Sequence, residues 1–213
     1  MALVFITGAS GFMGQRLSME LLRRGHSVRG LVRRGSESRL APGCEGVTGD
    51  PLDASTYRHH IDGADTFVQL VGVAHPSPTK AAQFRSIDLR SAKESVSAAA
   101  GAGIRHFVYV SVAHPAPVMR EYIAVRTEGE ETLRASGLNA TILRPWYVLG
   151  PGRRWPLLIL PAYWILGALP STRETANRLG LVTLDQMVQT MANAIERPPS
   201  GVRVVEVPQI RHP

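Results

Sequence analysis

Gly8, Gly11 and Gly14 stand in G-x-x-G-x-x-G spacing within Thr7-Gly8-Ala9-Ser10-Gly11-Phe12-Met13-Gly14. An apolar run, Ala2 to Thr7, precedes them, and Gly11 to Gly25 carries Phe12, Leu17, Leu21 and Leu22 at helical spacing. A strand that turns on glycine into a helix is built to hold a phosphate. The glycines permit the tight turn and the close approach of a pyrophosphate, whose charge is met by backbone N–H groups and the positive end of the helix dipole, while Gly14 lets the helix lie on the sheet. Thr7, Gly8, Ser10, Gly11, Phe12, Met13 and Gly14 are therefore expected to bind a dinucleotide. A second strand, Ser27 to Val32, ends at Arg33 and Arg34, with no carboxylate before Glu37. An acid there accepts the ribose 2′-OH of NAD, whereas arginine accommodates the 2′-phosphate of NADP, so NADP is the expected cofactor.

The elements that must position this turn are legible as alternating strands and helices. Gly46 to Thr48, Thr66 to Val71, Phe107 to Val110, Ala140 to Leu143 and Val202 to Val207 read as strands. Ala54 to His60, Ala81 to Ala102, Met119 to Ser136 and Thr183 to Glu196 read as helices. The apolar runs lack polar alternation, which predicts a sheet covered on both faces: a doubly wound parallel α/β architecture. After Arg144-Pro145 the texture changes, and an apolar stretch from Trp155 to Leu169 is broken by Pro156 and Pro161. It is too short and interrupted to span a membrane, and fits a pocket for an apolar ligand, a partner surface or core packing.

A chain of 213 residues fits one domain, 1–213, with 153–180 as a small cap on the substrate side. Its 24 basic against 17 acidic side chains leave a charge of +7, but the arginines are scattered, without the clustering of a nucleic-acid face. Cys44, the single cysteine, excludes an intramolecular disulfide, and no Cys/His cluster has metal-site spacing. With an amino terminus that reads as a strand rather than a signal peptide, a cytoplasmic setting is expected.

These motifs resemble, in order, the short-chain dehydrogenase/reductase superfamily, in the extended or atypical branch that includes NAD(P)H-binding, epimerase/dehydratase-like and NmrA-like proteins. Gly49-Asp50-Pro51-Leu52-Asp53 is similar to the family's segment beside the adenine, and Val68 to Ala74 to its fourth strand and cofactor-side turn. Phe107-Val108-Tyr109-Val110-Ser111 resembles the fifth strand. Thr141-Ile142-Leu143-Arg144-Pro145, followed by Gly150-Pro151-Gly152, resembles the sixth strand and its exit. The resemblance covers about residues 2 to 153 and weakens beyond. It implies a Rossmann-type fold and adds Asp50, Leu52, Val71, Gly72 and Val73 to the cofactor-binding residues.

It also implies a reaction, with two departures. The family's Tyr-x-x-x-Lys pair corresponds to Tyr122-Ile123-Ala124-Val125-Arg126, whose spacing places both side chains on one helix face. A cation at position 126 would help Tyr122 exchange a proton with a substrate oxygen and would orient the cofactor ribose, but arginine is bulkier than lysine and cannot relay a proton. No lysine follows Lys93 to take its place. At the strand end, two successive hydroxyl residues become Ser111 and Val112, leaving Ser111 as the candidate to polarise a substrate carbonyl. Two functions remain open: an NAD(P)-dependent oxidoreductase or epimerase/dehydratase-like enzyme acting on a small, apolar carbonyl or alcohol, or a noncatalytic NADP sensor whose cofactor state a regulatory protein reads. His75 and His114, each followed by proline on a loop after a strand, are expected to be satisfied loop residues.

Overall fold

The computed structural model describes residues 1–151 and 178–213. The cap expected at 153–180 and the Trp155–Leu169 stretch lie almost wholly outside the described residues. Seven parallel strands, β1 (Leu3–Thr7), β2 (Ser27–Val32), β3 (Glu45–Thr48), β4 (Thr66–Gln69), β5 (His106–Val110), β6 (Ala140–Arg144) and β9 (Val202–Glu206), form one sheet in the order β3-β2-β1-β4-β5-β6-β9. β7 (Tyr147–Leu149) and β8 (Leu181–Thr183) make a separate parallel pair that the sequence does not foretell. The strand order reverses between β1 and β4, which opens a crevice at their carboxyl ends.

Side chains alternate between two cores along each strand. Val4, Ile6, Val68, Val108 and Leu143 face one core, with α1 (Phe12–Arg23) and α5 (Leu184–Glu196) supplying Leu17, Leu21, Met187 and Met191. Phe5, Phe67, Phe107, Tyr109 and Ile142 face the other, packed against Tyr57, Ile61, Val96 and Leu133. Phe67 and Phe107, opposite one another in register, stack with centroids 5.2 Å apart. Burial on both faces is why the strands read as unbroken apolar runs. Helix α5 starts with a reciprocal cap, the Thr183 hydroxyl accepting from Gln186 N–H and the Gln186 side chain accepting from Thr183 N–H.

Three expectations are corrected. Ala54 to His60 is two short 3₁₀ turns, Ala54–Thr56 and Arg58–His60, because Asp53 and Thr56 bond the local backbone and offer it an alternative to an α-helix. Strand β4 stops at Gln69, and Leu70 to Val73 continue as loop. The helix expected over Ala81 to Ala102 consists of α2 (Ala81–Gln83), a π-helical segment, Phe84–Leu89, and α3 (Arg90–Gly101). Single π turns often mark functional positions, and this one carries Asp88.

His106 gives the sheet a pH dependence. Buried on β5, its ring Nε2 lies 3.0 Å from the Thr141 hydroxyl and its Nδ1 3.5 Å from that of Thr66. Burial, with Arg203 adding repulsion, lowers its pKa from 6.5 to about 4. Between these values the unfolded chain takes up a proton that the native state refuses. Stability is thus complete above pH ~6.5 and falls by up to about 3 kcal/mol as pH drops toward 4. Urea unfolding of wild type and His106→Gln across this window checks it, with a flatter dependence expected for the variant. Glu20, held at about 2 chiefly by its hydrogen bond from Arg23, adds its loss from the lower end of that window downward, from pH ~4.5 toward 2.

Candidate functional site

The turn between β1 and α1 folds as its glycines require. Gly8 has a left-handed backbone (φ +78°), and a Cβ there would lie 3.0 Å from the Leu70 carbonyl carbon. A Cβ on Gly14 would fall on the Gly8 carbonyl oxygen and within 2.7 Å of the Ala9 Cα, so helix α1 can approach the turn only without a side chain there. Gly11 N–H closes the turn onto the Gly8 carbonyl at 3.0 Å and serves as the helix cap without a side-chain bond. The first N–H groups of α1 have no carbonyl within the helix to bond, which suits an anion.

Beside this turn runs the loop after β4, since Leu70 N–H donates to the Thr7 carbonyl at 3.1 Å. Between the two lies a cleft of about 370 Å³. Gly8, Gly11, Phe12, Met13 and Gly14 form one wall, Gly72, Val73, Ala74 and His75 another, and Ser111, Tyr122 and Arg126 line it as well. The apolar side chains of Val112, Pro145, Trp146 and Val148 complete it. The structure thus brings the turn, the β4 loop and the Tyr122–Arg126 pair into one cavity. Thr7, Ser10 and Val71 belong to the same turns without lining it. Thr7 is fully buried, its hydroxyl 3.4 Å from the Val68 carbonyl.

Arg33, Arg34, Asp50 and Leu52 lie outside the cleft lining, at the β2–β3 end of the sheet. Thr7 is in register with Leu31, and Gly49 N–H donates to the Val32 carbonyl at 3.0 Å, so the ends of β1, β2 and β3 lie side by side. Both arginines and Asp50 are exposed there. The Asp50 carboxylate accepts from Leu52 N–H at 2.9 Å and shapes the turn that follows β3.

Tyr122 and Arg126 lie on α4 (Arg120–Ala135). The guanidinium carbon of Arg126 is 5.2 Å from the Tyr122 ring centroid, close enough for a cation–π contact. Its N–H groups, however, are directed into the protein: Nη1 donates to the Val110 carbonyl at 2.9 Å and Nη2 to the Asp88 carboxylate at 2.6 Å. Asp88, fully buried, also accepts from Val73 N–H at 2.9 Å. A Cβ on Gly72 would collide with Arg126 Nη2. Burial pushes the Asp88 carboxyl above its ordinary range against the pull of Arg126. Burial works to lower the pKa of Arg126, but Tyr122, Tyr109 and Asp88 outweigh it and keep the guanidinium charged.

Asp88 is the residue that motif reading missed, although a signal exists. Phe84, Asp88, Ser91, Ser95 and Ala99 recur on one buried stripe, and a carboxylate on such a stripe needs a cationic partner. Ser111 has a second unexpected partner. Its hydroxyl donates to Glu130 Oε1 at 2.6 Å, inside a buried cluster where Arg144 grips the same carboxylate with two bonds, at 2.9 and 2.5 Å. Burial acts to raise the Glu130 pKa, but Arg144 and Ser111 outweigh it and hold it below the usual carboxylate range. His114 Nε2 lies 3.6 Å from that carboxylate. Among the described residues no helix is long and apolar enough to cross a membrane, and no group of three His, Cys, Asp or Glu side chains could hold a metal.

Comparison with known proteins agrees with this architecture. The chain is similar to the ceramide reductase of Caulobacter vibrioides, 28% identical over 98% of the chain and 65% of the relative. It is also similar to a 3β-hydroxysteroid dehydrogenase/Δ5→4-isomerase of Mycobacterium tuberculosis, 32% identical over 51% of the chain and 31% of the relative. It thus spans less than two thirds of either protein. Among solved structures, the Bordetella bronchiseptica enzyme WbmH in complex with NAD⁺ superposes with a TM-score of 0.72 at 20% identity, covering 97% of this chain and 75% of that one. The NAD(P)H-binding family model matches residues 8–153, from the first glycine of the turn to beyond β7, and by that match the chain belongs to the NAD(P)H-binding family.

Proposed function

We propose that this protein is an NADP-preferring oxidoreductase or epimerase/dehydratase-like enzyme that acts on a carbonyl or alcohol carried by an apolar body. The observation that carries this reading is the cleft joining the phosphate-binding turn to Tyr122. A nicotinamide dinucleotide fits the residues present: Gly8, Gly11 and Gly14 keep side chains out of the turn, and the α1 amino terminus offers N–H groups to a pyrophosphate. Gly72 and Val73 would pass along its nicotinamide half, and Arg33, with Arg34 beside it, would meet a ribose 2′-phosphate. When bound, that cofactor supplies or accepts a hydride.

The chain's own residues do the rest. The Tyr122 hydroxyl makes no hydrogen bond to a described residue, which leaves it available to exchange a proton with a substrate oxygen. Arg126 lies against the tyrosine ring and stabilises negative charge developing on that oxygen. Because its two terminal nitrogens serve Asp88 and Val110 and its Nε is buried, its part is electrostatic more than a ribose contact. Phe12, Met13, Val112, Trp146 and Val148 exclude water and favour an apolar substrate. The ceramide and steroid substrates in the names of two relatives support that class. A cytoplasmic setting belongs to this reading.

The test is NADPH-dependent reduction of apolar aldehydes and ketones by wild type and Tyr122→Phe, for which a loss of about 100-fold or more in kcat is expected. Turnover unchanged in Tyr122→Phe removes the assignment. Arg33→Ser is expected to weaken NADPH about tenfold or more (~1.4 kcal/mol) while leaving NADH within twofold, and equal wild-type affinity for both cofactors removes the NADP preference. The second reading, a noncatalytic sensor, is favoured by one observation: the Ser111 hydroxyl is committed to Glu130, and Val112 has none. Tight NADPH binding without turnover of any carbonyl would support it.

A further inference from the structure

The cleft offers a substrate oxygen few side-chain protons. Ser111 donates its own to Glu130, and Arg126 donates to Asp88 and Val110. Arg126 Nε is buried without a hydrogen-bond partner, and among the described residues Tyr122 and His75 are lining side chains whose hydroxyl and imidazole accept or donate no hydrogen bond. His75 is also held in an unusual way. It has a left-handed backbone (φ +51°), uncommon for a residue with a Cβ. Lys80 Nζ locks that conformation by donating to the carbonyls of Ala74 and His75, at 2.6 and 3.0 Å. Such a backbone persists where its surroundings impose it, and often serves to aim a side chain. Two residues earlier, Val73 packs in the same small cluster as Tyr122 and bonds Asp88, the anchor of Arg126. Two residues of chain span at most about 7 Å, so the exposed His75 stays on the wall that Val73 begins, in the cleft that Tyr122 also lines.

We propose that His75 is the second side chain to hydrogen-bond the substrate oxygen, taking the polarising role for which Ser111 has no free proton. Lys80 is then a positioning residue that holds the imidazole at the cleft. This inference rests on the enzymatic reading above, and its failure can be told apart from failure of that reading.

The experiment uses the full chain with NADPH and decanal as the probe substrate, comparing wild type with His75→Ala, His75→Gln and Lys80→Met. NADPH affinity is expected to stay within twofold in all of them. The decanal kcat/KM is expected to fall about 100-fold in His75→Ala, to recover in part in His75→Gln, which keeps an N–H, and to fall about tenfold in Lys80→Met, mainly through KM. His75→Ala turning over decanal within twofold of wild type overturns the proposal and leaves the enzymatic reading standing. If wild type fails to bind NADPH, the reading and the proposal fall together. If it binds NADPH without reducing decanal, the His75 Cε1–H resonance, assigned by its loss in His75→Gln, decides during titration of the NADP-loaded protein with 1-decanol. A displaced resonance supports the contact, and a stationary one overturns it.

Discussion

Asp88→Ala is expected to destabilise the protein by about 3–5 kcal/mol, the range for removing one partner of a buried ion pair and leaving the other charge uncompensated. Arg126 is only 6% exposed, so it cannot turn to water for a replacement. The same change strips Val73 N–H of its acceptor and loosens the loop that lines the cleft. Asp88→Asn keeps an acceptor for one of the two donors, which bond different carboxylate oxygens, and should cost less than Asp88→Ala. Gly72→Ala should resemble Asp88→Ala in kind, because its methyl would displace the guanidinium. Chemical denaturation of the three variants gives the order. Equal stability of wild type and Asp88→Ala would show that the pair does not anchor Arg126.

Gly14→Val should abolish dinucleotide binding more thoroughly than any charge change. Its side chain would meet the Gly8 carbonyl and the Ala9 backbone, neither of which can yield without opening the turn. An NADPH affinity at least about 100-fold weaker, ~3 kcal/mol, is expected by fluorescence titration. Gly25→Ala is the matched control. Its Cβ would meet nothing within 4 Å, so only the positive φ (+81°) penalises it. It should lose about 1 kcal/mol of stability and leave NADPH affinity unchanged.

What the sequence disclosed and what it withheld follow from the range of the interactions involved. The β1–α1 turn was legible because every requirement for it is local: an apolar run, a left-handed glycine at Gly8, and a glycine at Gly14 where helix and turn touch. The parallel sheet was legible because burial on both faces leaves an unbroken apolar signature. Asp88 was hidden inside a helical pattern, since its partner lies 38 residues away and its orientation depends on the π turn. The Ser111–Glu130 bond required knowing that β5, α4 and β6 converge, and the three-residue strands β7 and β8 are too short for any periodicity to declare them. The clamp that Lys80 places on the His75 backbone is likewise a contact that residue types alone do not announce. The glycine turn was thus specified by residue types, whereas the surroundings of Tyr122 are specified by tertiary contacts.

If the proposed function holds, cofactor and tyrosine share the cleft between the glycine turn and the β4 loop. A crystal structure of the protein soaked or co-crystallised with NADPH tests it most directly. The pyrophosphate is expected on the first turn of α1 at Gly11 to Gly14, the 2′-phosphate at Arg33, and the nicotinamide ring beside Gly72 and Val73 with its reactive face open toward Tyr122. A nicotinamide lying outside this cleft, or one separated from Tyr122 by protein side chains, would contradict it.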